Sequence, residues 1–282
     1  MNRYLKLVVM EIQRFWKIYA GLAILTAISQ IGGMVYSLSR IMDRIDRIMA
    51  QQGYKSYSEY AASNFIGFAD GFHEAANQAE PWLSGSIFLC IAALIGYCFF
   101  IWYRDWTGKS TFAYRLLMLP TSRMNLFWSK LTAIMLFVLG LIALQLLLLP
   151  ILIGLYDQIT PQELIQPETV RSFIIHDRIF KMMIPPTFIG FLVSYGTGLI
   201  GVIVLFTAIL IERSYRRIGI VGGIVYAGLC GVLLLTPGLI NSFESAALYP
   251  FEIFMLQLAV GLVLTLVSIA LSAHLLNRKI TV

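Results

Sequence analysis

Six long apolar stretches alternate with polar segments along this chain, and none of the six contains Asp, Glu, Lys or Arg. They cover residues 18–38, 85–103, 131–156, 184–211, 218–239 and 253–276. A bilayer core about 30 Å thick requires about 20 helical residues to cross it, and each stretch meets that length. The pattern predicts an all-α integral membrane protein whose six transmembrane helices form one domain.

The polar residues before the first span also follow a helical period. Residues 3–17 place basic side chains on one face, and the opposite face is formed by Leu5, Val8, Ile12, Phe15 and Trp16. This pattern is typical of an amphipathic helix that lies in the membrane interface. The alternative is a first span that starts early and tilts. Glu11 and the four basic residues disfavour burial of this stretch, so the sequence favours the interfacial helix.

The loops predicted to lie outside the cell are residues 39–84, 157–183 and 240–252, and we expect them to be partly helical. In the first of them, Ile41, Ile45 and Ile48 recur at helical spacing, so the first helix is expected to project beyond the membrane. Three aromatic residues farther on also share a helical face: Phe65, Phe68 and Phe72. They either pack within the outer loops or form a surface that contacts an amphipathic substrate.

Composition and charge support a membrane protein and fix its expected orientation. Hydrophobic residues are 59% of the 282 positions and charged residues 13%, against about 45–50% and 25% in soluble domains. The two termini and the second and fourth loops hold 14 basic and three acidic residues, whereas the other segments hold seven and twelve. Because Lys and Arg accumulate on the cytoplasmic side, both termini are predicted to be cytoplasmic. The net charge of +6 is therefore a topology signal, and no nucleic-acid partner is expected.

One motif resembles a nucleotide site but lacks its essential parts. Gly108-Lys109-Ser110-Thr111 matches the end of a phosphate-binding loop, yet Tyr103 stands where that loop requires glycine, and a membrane helix precedes it instead of a strand. The spans also lack the ionisable groups that proton and ion relays use, apart from His274 near the end of the sixth. We therefore expect no enzymatic activity, no metal and no bound cofactor in this chain.

The loop 104–130 carries the most specific pattern. It contains Gly108-Lys109, then the run Leu116-Leu117-Met118-Leu119-Pro120-Thr121-Ser122-Arg123, and ends on Lys130. In this loop the chain resembles the membrane subunits of type 2 ABC exporters, in which Gly-Lys leads through a Leu-rich helix to Leu-Pro-x-Ser-Arg and a Lys at the third span. Six spans, cytoplasmic termini and an N-terminal interfacial helix agree with that resemblance. The large first outer loop departs from the compact members of the family and leaves the cargo open.

The resemblance implies partners and an energy source. A cytoplasmic ABC ATPase subunit would dock on the loop and would bind the ATP and Mg, and the chain would pair with a second copy of itself or a sister permease in a bacterial plasma membrane. The expected contacts with the ATPase are Phe112, Tyr114, Arg115, Leu116, Leu119, Pro120 and Arg123. We expect export of an amphipathic or hydrophobic cargo, with peptides, toxins or antibiotics favoured. The alternative is an immunity or sensor protein that sequesters a peptide or lipid without transport.

Overall fold

The computed structural model describes residues 3–63, 71–106, 122–242 and 249–279. These residues form helices and connecting segments, with no strand among them. The longer elements are α1 (Arg3–Gln52), α2 (Tyr57–Ser63), α3 (Gly71–Trp106), α4 (Arg123–Ile159), α5 (Val170–His176), α6 (Arg178–Met183), α7 (Phe188–Ser242) and α8 (Pro250–His274), with a 3-10 turn at Gln162–Leu164 and a π-helical turn at Leu275–Lys279. Six segments are long and apolar enough to cross a membrane. The predicted all-α membrane fold with six spans is confirmed.

Helix α1 is one continuous helix where the sequence predicted an interfacial helix followed by a separate span. Glu11, which was expected to disfavour burial of this stretch, is itself fully buried. At its other end α1 continues to Gln52, as the spacing of Ile41, Ile45 and Ile48 predicts. It ends where Gly53 adopts a φ of +79° and the amides of Gly53 and Tyr54 both donate to the Met49 carbonyl oxygen.

The fourth span begins later than predicted. The apolar stretch starts at residue 184, but α7 begins at Phe188 because Pro185 and Pro186 cannot continue a helix. Just before it, Thr187 Oγ1 accepts a hydrogen bond of 3.1 Å from the Gly190 amide, which satisfies one of the free donors of the first turn.

Helix α7 contains two spans, Phe188–Tyr215 and Ile218–Thr236, and its backbone reverses direction between them. A Cβ atom at Gly219 would lie 2.5 Å from the Glu212 carbonyl oxygen, and one at Gly223 would lie 2.7 Å from that of Ala208. In a straight helix residues 208 and 223 would be about 22 Å apart. The fourth and fifth spans therefore form an antiparallel hairpin, in close contact through these two glycines.

The glycines of the fourth span do not take part in this close approach. Apart from their adjacent residues and the nearby backbone of their own helix, positions 196, 198 and 201 have no described atom within 4 Å of an added Cβ, and Gly190 meets only its local neighbours Thr187 and Pro185. Gly219 and Gly223 are spaced i,i+4, so they lie on the same face of the fifth span. This spacing is visible in the sequence.

The described chain divides into two compact units. The first comprises Met1–Arg14, Leu94–Leu136 and Leu192–Val282. Its interior contains the ring of Phe206, whose centroid lies 5.4 Å from that of Trp102 and 5.5 Å from that of Phe127. The hydroxyl of Thr207 lies 2.9 Å from that of Ser272, which joins the fourth and sixth spans.

The second unit comprises Phe15–Ala93 and Phe137–Phe191. Phe72 is 1% exposed, and its ring packs edge-on against those of Tyr156 and Phe173, with Phe180 beyond them. Asp177 begins α6 by accepting hydrogen bonds from the amides of Ile179 and Phe180. The segments predicted to lie outside the membrane thus contribute short helices and an aromatic core.

A polar contact joins three spans inside the second unit. The amide nitrogen of Gln30, a residue with no exposed surface, donates to Ser86 Oγ at 3.0 Å and to Gln145 Oε1 at 3.1 Å. Hydrogen bonds of this kind between membrane helices contribute about 0.6 kcal/mol on average. They fix the register between α1, α3 and α4 at a point where all three side chains are buried.

Candidate functional site

A cluster of five charged residues lies in the first unit at the ends of the spans predicted to be cytoplasmic. We call Glu11, Arg14, Arg104, Asp105 and Lys130 the ion cluster. The Lys130 ammonium lies at its centre and has no exposed surface. It donates to Glu11 Oε1 at 3.0 Å, to Asp105 Oδ2 at 2.5 Å and to the Ile101 carbonyl oxygen at 2.8 Å. All three ammonium donors are therefore engaged.

Two guanidinium groups complete the ion cluster from its more exposed side. Arg104 Nη2 lies 2.9 Å from Glu11 Oε2, and Arg14 Nη1 lies 3.2 Å from Asp105 Oδ1. The arginine side chains are 24% exposed, whereas that of Glu11 is completely buried. Three cations thus surround two carboxylates, so each buried negative charge has at least two positive neighbours. Such compensation is what makes buried charges tolerable in a protein interior.

The ion cluster follows from where these residues fall on their helices. Glu11 and Arg14 are one turn apart on α1, and Arg104 and Asp105 belong to the last turn of α3. Lys130 lies two turns into α4, where its long side chain reaches both partners. Its ammonium group also lies 5.3 Å from the centroid of the buried Trp102 ring, within the range of a cation–π contact. Three helices are therefore joined at one point by charge.

Three further contacts connect the helix segments around the ion cluster. Tyr103 donates its hydroxyl to the carboxylate of Glu212, and the guanidinium carbon of Arg213 lies 4.4 Å from the centroid of the Tyr103 ring. The turn between the fourth and fifth spans thus contacts the end of α3. Arg123, at the start of α4, donates to the Leu276 carbonyl oxygen at 2.6 Å. Contacts on both flanks of residues 107–121 therefore reach α1, α7 and the C-terminal turn.

The structure divides the residues predicted for the interfacial helix between two environments. Val8 and Phe15 are buried, Ile12 is half-buried, and Leu5 and Trp16 are about half exposed. The buried face of this part of α1 therefore combines apolar side chains with Glu11. The exposed ring of Trp16 remains available to lipid.

The remaining predicted residues are only partly covered by the structure. Arg123 is described, whereas the other expected ATPase contacts lie outside the described residues: Phe112, Tyr114, Arg115, Leu116, Leu119 and Pro120. Phe65 and Phe68 also lie outside them. Phe72 is an interior residue of the second unit, as the packing alternative for the aromatic stripe expects.

Sequence reasoning missed the ion cluster, although a signal for it exists. The segments predicted to be cytoplasmic contain only three acids, Glu11, Asp105 and Glu212. Each of them contacts a basic or tyrosine side chain in the structure. A single acid beside an apolar span, within a strongly basic segment, needs such a partner if it is buried. Counting these acids would have identified the cluster's anions but not which cation lies between them.

The described residues contain no group of three or more His, Cys, Asp or Glu that could hold a metal ion. The three cysteines are free and buried. No protein-family profile, curated protein or solved structure matches this chain. The features of the chain that bear on its function are the spans, the ion cluster and the pattern of loop 104–130.

Proposed function

We propose that this chain is the transmembrane permease subunit of an ATP-driven ABC exporter. A separate cytoplasmic ATPase would dock on loop 104–130, and a second copy of the chain or a sister permease would complete the transport path. The ion cluster carries the proposal. It connects the helix that enters this loop, the helix that leaves it and the start of α1, so that motion imposed on the loop would reach all three.

The contacts of Lys130 support such coupling. Its ammonium joins Glu11 of α1 to Asp105 of α3, and Asp105 lies at the entry to residues 107–121. Buried, fully paired charges separate only at a high free-energy cost, because each would be left without compensation. A force applied at the loop would therefore displace the ends of three spans together. In this proposal, that rigid-body motion would widen the transport path on the side predicted to face outside the cell.

The composition of the spans supports an external source of energy and an amphipathic or hydrophobic cargo. The six apolar stretches lack Asp, Glu, Lys and Arg, which are the usual groups of proton and ion relays. In this proposal ATP and Mg bind to the partner ATPase. An apolar path suits a peptide, toxin or antibiotic better than a strongly hydrated ion. The cell would be bacterial, with both termini of the chain in the cytoplasm.

The proposal is tested by purifying the full chain in mild detergent from its native membrane and measuring copurifying ATP hydrolysis. We expect an ATPase to be retained, and its activity in liposomes to rise when an exported peptide is added. Replacing Phe112→Ala together with Arg115→Glu should reduce retained ATPase at least about tenfold, because a docking surface depends on a few aromatic and arginine contacts. Arg171→Glu, a charge reversal in a segment predicted to lie outside the cell, should retain it.

Two results would contradict the exporter. One is a purified chain that retains no ATPase under any mild condition. The other is a loop variant that keeps full ATPase association and export. A chain that binds a peptide tightly but neither recruits an ATPase nor moves the peptide across liposomes would instead be an immunity or sensor protein.

A further inference from the structure

The ion cluster contains one more positive than negative charge. Its cations are Lys130, Arg14 and Arg104, and its carboxylates are those of Glu11 and Asp105. Lys130 has no exposed surface, so water screens this excess charge less than it would at a protein surface. Because uncompensated charge in a protein interior is costly, the arrangement favours a further anion at the exposed side of the cluster.

The chain itself does not supply that anion. Besides the two carboxylates of the cluster, the segments predicted to be cytoplasmic contain one acidic side chain, that of Glu212. Its carboxylate accepts a hydrogen bond from Tyr103, whose ring also lies under the Arg213 guanidinium group. The sequence of residues 107–121 includes basic residues and no acid. A neutralising group is therefore expected from outside the chain.

The exposed side of the ion cluster borders an apolar surface. The guanidinium carbon of Arg104 lies 5.6 Å from the centroid of the Phe100 ring, one turn earlier on α3 and within the range of a cation–π contact. The Phe100 side chain is 51% exposed, and Ile95 and Phe99 are exposed on the same helix. Arginines at the end of a predicted span, next to exposed apolar rings, occupy the level at which lipid headgroups meet acyl chains.

This combination specifies an amphipathic anion. The guanidinium fork matches the geometry of a phosphate group, and the exposed rings match a hydrocarbon chain. A zwitterionic headgroup would bring a cation of its own and would leave the excess charge of the cluster unchanged. A soluble anion would not use the apolar surface. A phospholipid whose headgroup has a net negative charge meets both requirements.

We propose that the exposed side of the ion cluster binds an anionic phospholipid, with its phosphate beside Arg14 and Arg104 and an acyl chain against Phe100. All these residues belong to the first unit. The site does not rest on the proposed function, because it requires neither an ATPase nor a cargo. An exporter, an immunity protein and a sensor would each bind the lipid in the same way.

The test is native mass spectrometry of the purified full chain in detergent, titrated with phosphatidylglycerol or phosphatidylcholine of identical acyl chains. The measured quantity is the dissociation constant of the first bound lipid. We expect phosphatidylglycerol to bind about fivefold more tightly, which is the effect of one basic residue on an anionic lipid. Soluble glycerol phosphate at millimolar concentration should not displace it, because it lacks the acyl chain.

Two substitutions at one position test the role of the excess charge. Arg104→Gln leaves two cations, Lys130 and Arg14, with two carboxylates, so the fivefold preference for phosphatidylglycerol should disappear. Arg104→Lys keeps the charge and should keep most of the preference. The preference is a ratio of two lipid affinities for the same folded variant, so a change in stability alone does not alter it.

Two controls separate this site from general attraction between basic residues and anionic lipid. Lys6→Gln removes a charge from an exposed position of α1 outside the ion cluster. Arg40→Gln removes an exposed arginine that also lies over an aromatic ring, 5.8 Å from the centroid of Tyr36, but belongs to no such cluster. Both variants should keep the full preference for phosphatidylglycerol.

Four results would each overturn the proposal. The first is equal affinity of the wild-type chain for the two lipids, and the second is an unchanged preference in Arg104→Gln. The third is an equal loss of preference in Lys6→Gln, which would indicate diffuse attraction. The fourth is displacement of phosphatidylglycerol by glycerol phosphate, which would indicate a site for free anions. If Arg104→Gln does not fold, Arg14→Gln produces the same balance of charges and replaces it.

Discussion

Replacing Lys130 by Met is expected to destabilise the protein by about 3–5 kcal/mol, because it leaves the buried charges of Glu11 and Asp105 without their shared cation. Met keeps most of the apolar length of the lysine side chain, so the loss of unfolding free energy measures the contribution of the ammonium group. The Ile101 carbonyl oxygen also loses its 2.8 Å hydrogen bond. In thermal unfolding of the full chain in detergent, the Tm should fall by an amount on the order of 10 °C.

Two controls separate the ion cluster from a general effect of removing charge. Lys6→Met makes the same substitution at an exposed position of α1 and should change the unfolding free energy by less than about 0.5 kcal/mol. Glu11→Gln should destabilise the protein when made alone. Combined with Lys130→Met it should cost less than the sum of the two changes, because the double variant removes one cation and one anion together. Additive effects, or a Tm for Lys130→Met within a degree of the wild type, would show that Lys130 does not hold the cluster together.

Gly223→Leu is expected to open the hairpin formed by the fourth and fifth spans, at a cost of about 3 kcal/mol relative to a matched control. The first added carbon would lie 2.7 Å from the carbonyl oxygen of Ala208. That atom belongs to helix backbone and cannot move without displacing the whole span. Overpacking at such a contact costs about 1–3 kcal/mol for small additions. The expected observation is a large loss of folded protein after solubilisation, measured by size-exclusion chromatography and thermal unfolding.

The matched control is Gly228→Leu, which makes the same substitution in the same span. Apart from the adjacent residues and the nearby backbone of the same helix, no described atom lies within 4 Å of an added Cβ at this position. Leucine has a higher helix propensity than glycine, by close to 1 kcal/mol, so this variant should be as stable as the wild type or more so. Equal stability of the two variants would mean that the spans do not approach at Gly223.

The long uncharged stretches made the six spans predictable, because apolar length is a local property of the chain. Helix ends were less predictable where tertiary contacts intervene. Pro185 and Pro186 set the start of α7 by local sterics, and this could have been read from the sequence. The burial of Glu11 on α1 could not, because its carboxylate is paired with Lys130, which is 119 residues away.

The same distinction applies to the candidate site. The pattern of loop 104–130 and the basic excess of the predicted cytoplasmic segments can be recognised in the sequence without knowing which residues are in contact. The ion cluster, in contrast, forms only where α1, α3 and α4 meet in the folded protein. From the sequence, Glu11 was expected at the membrane surface because an isolated carboxylate is costly to bury. With three cations around the cluster's two carboxylates, that cost is offset.

By itself, the sequence determined the membrane class, the number of spans, their predicted orientation and the presence of helical segments beyond the membrane. These properties follow from hydrophobic length, helical period and loop charge, none of which requires knowing which residues meet. Only the tertiary structure decided that Lys130 joins Glu11 to Asp105 and that the fourth and fifth spans approach each other at Gly219 and Gly223. Burial, pairing and free volume depend on distances between residues far apart in the chain, and helix packing alone sets those distances.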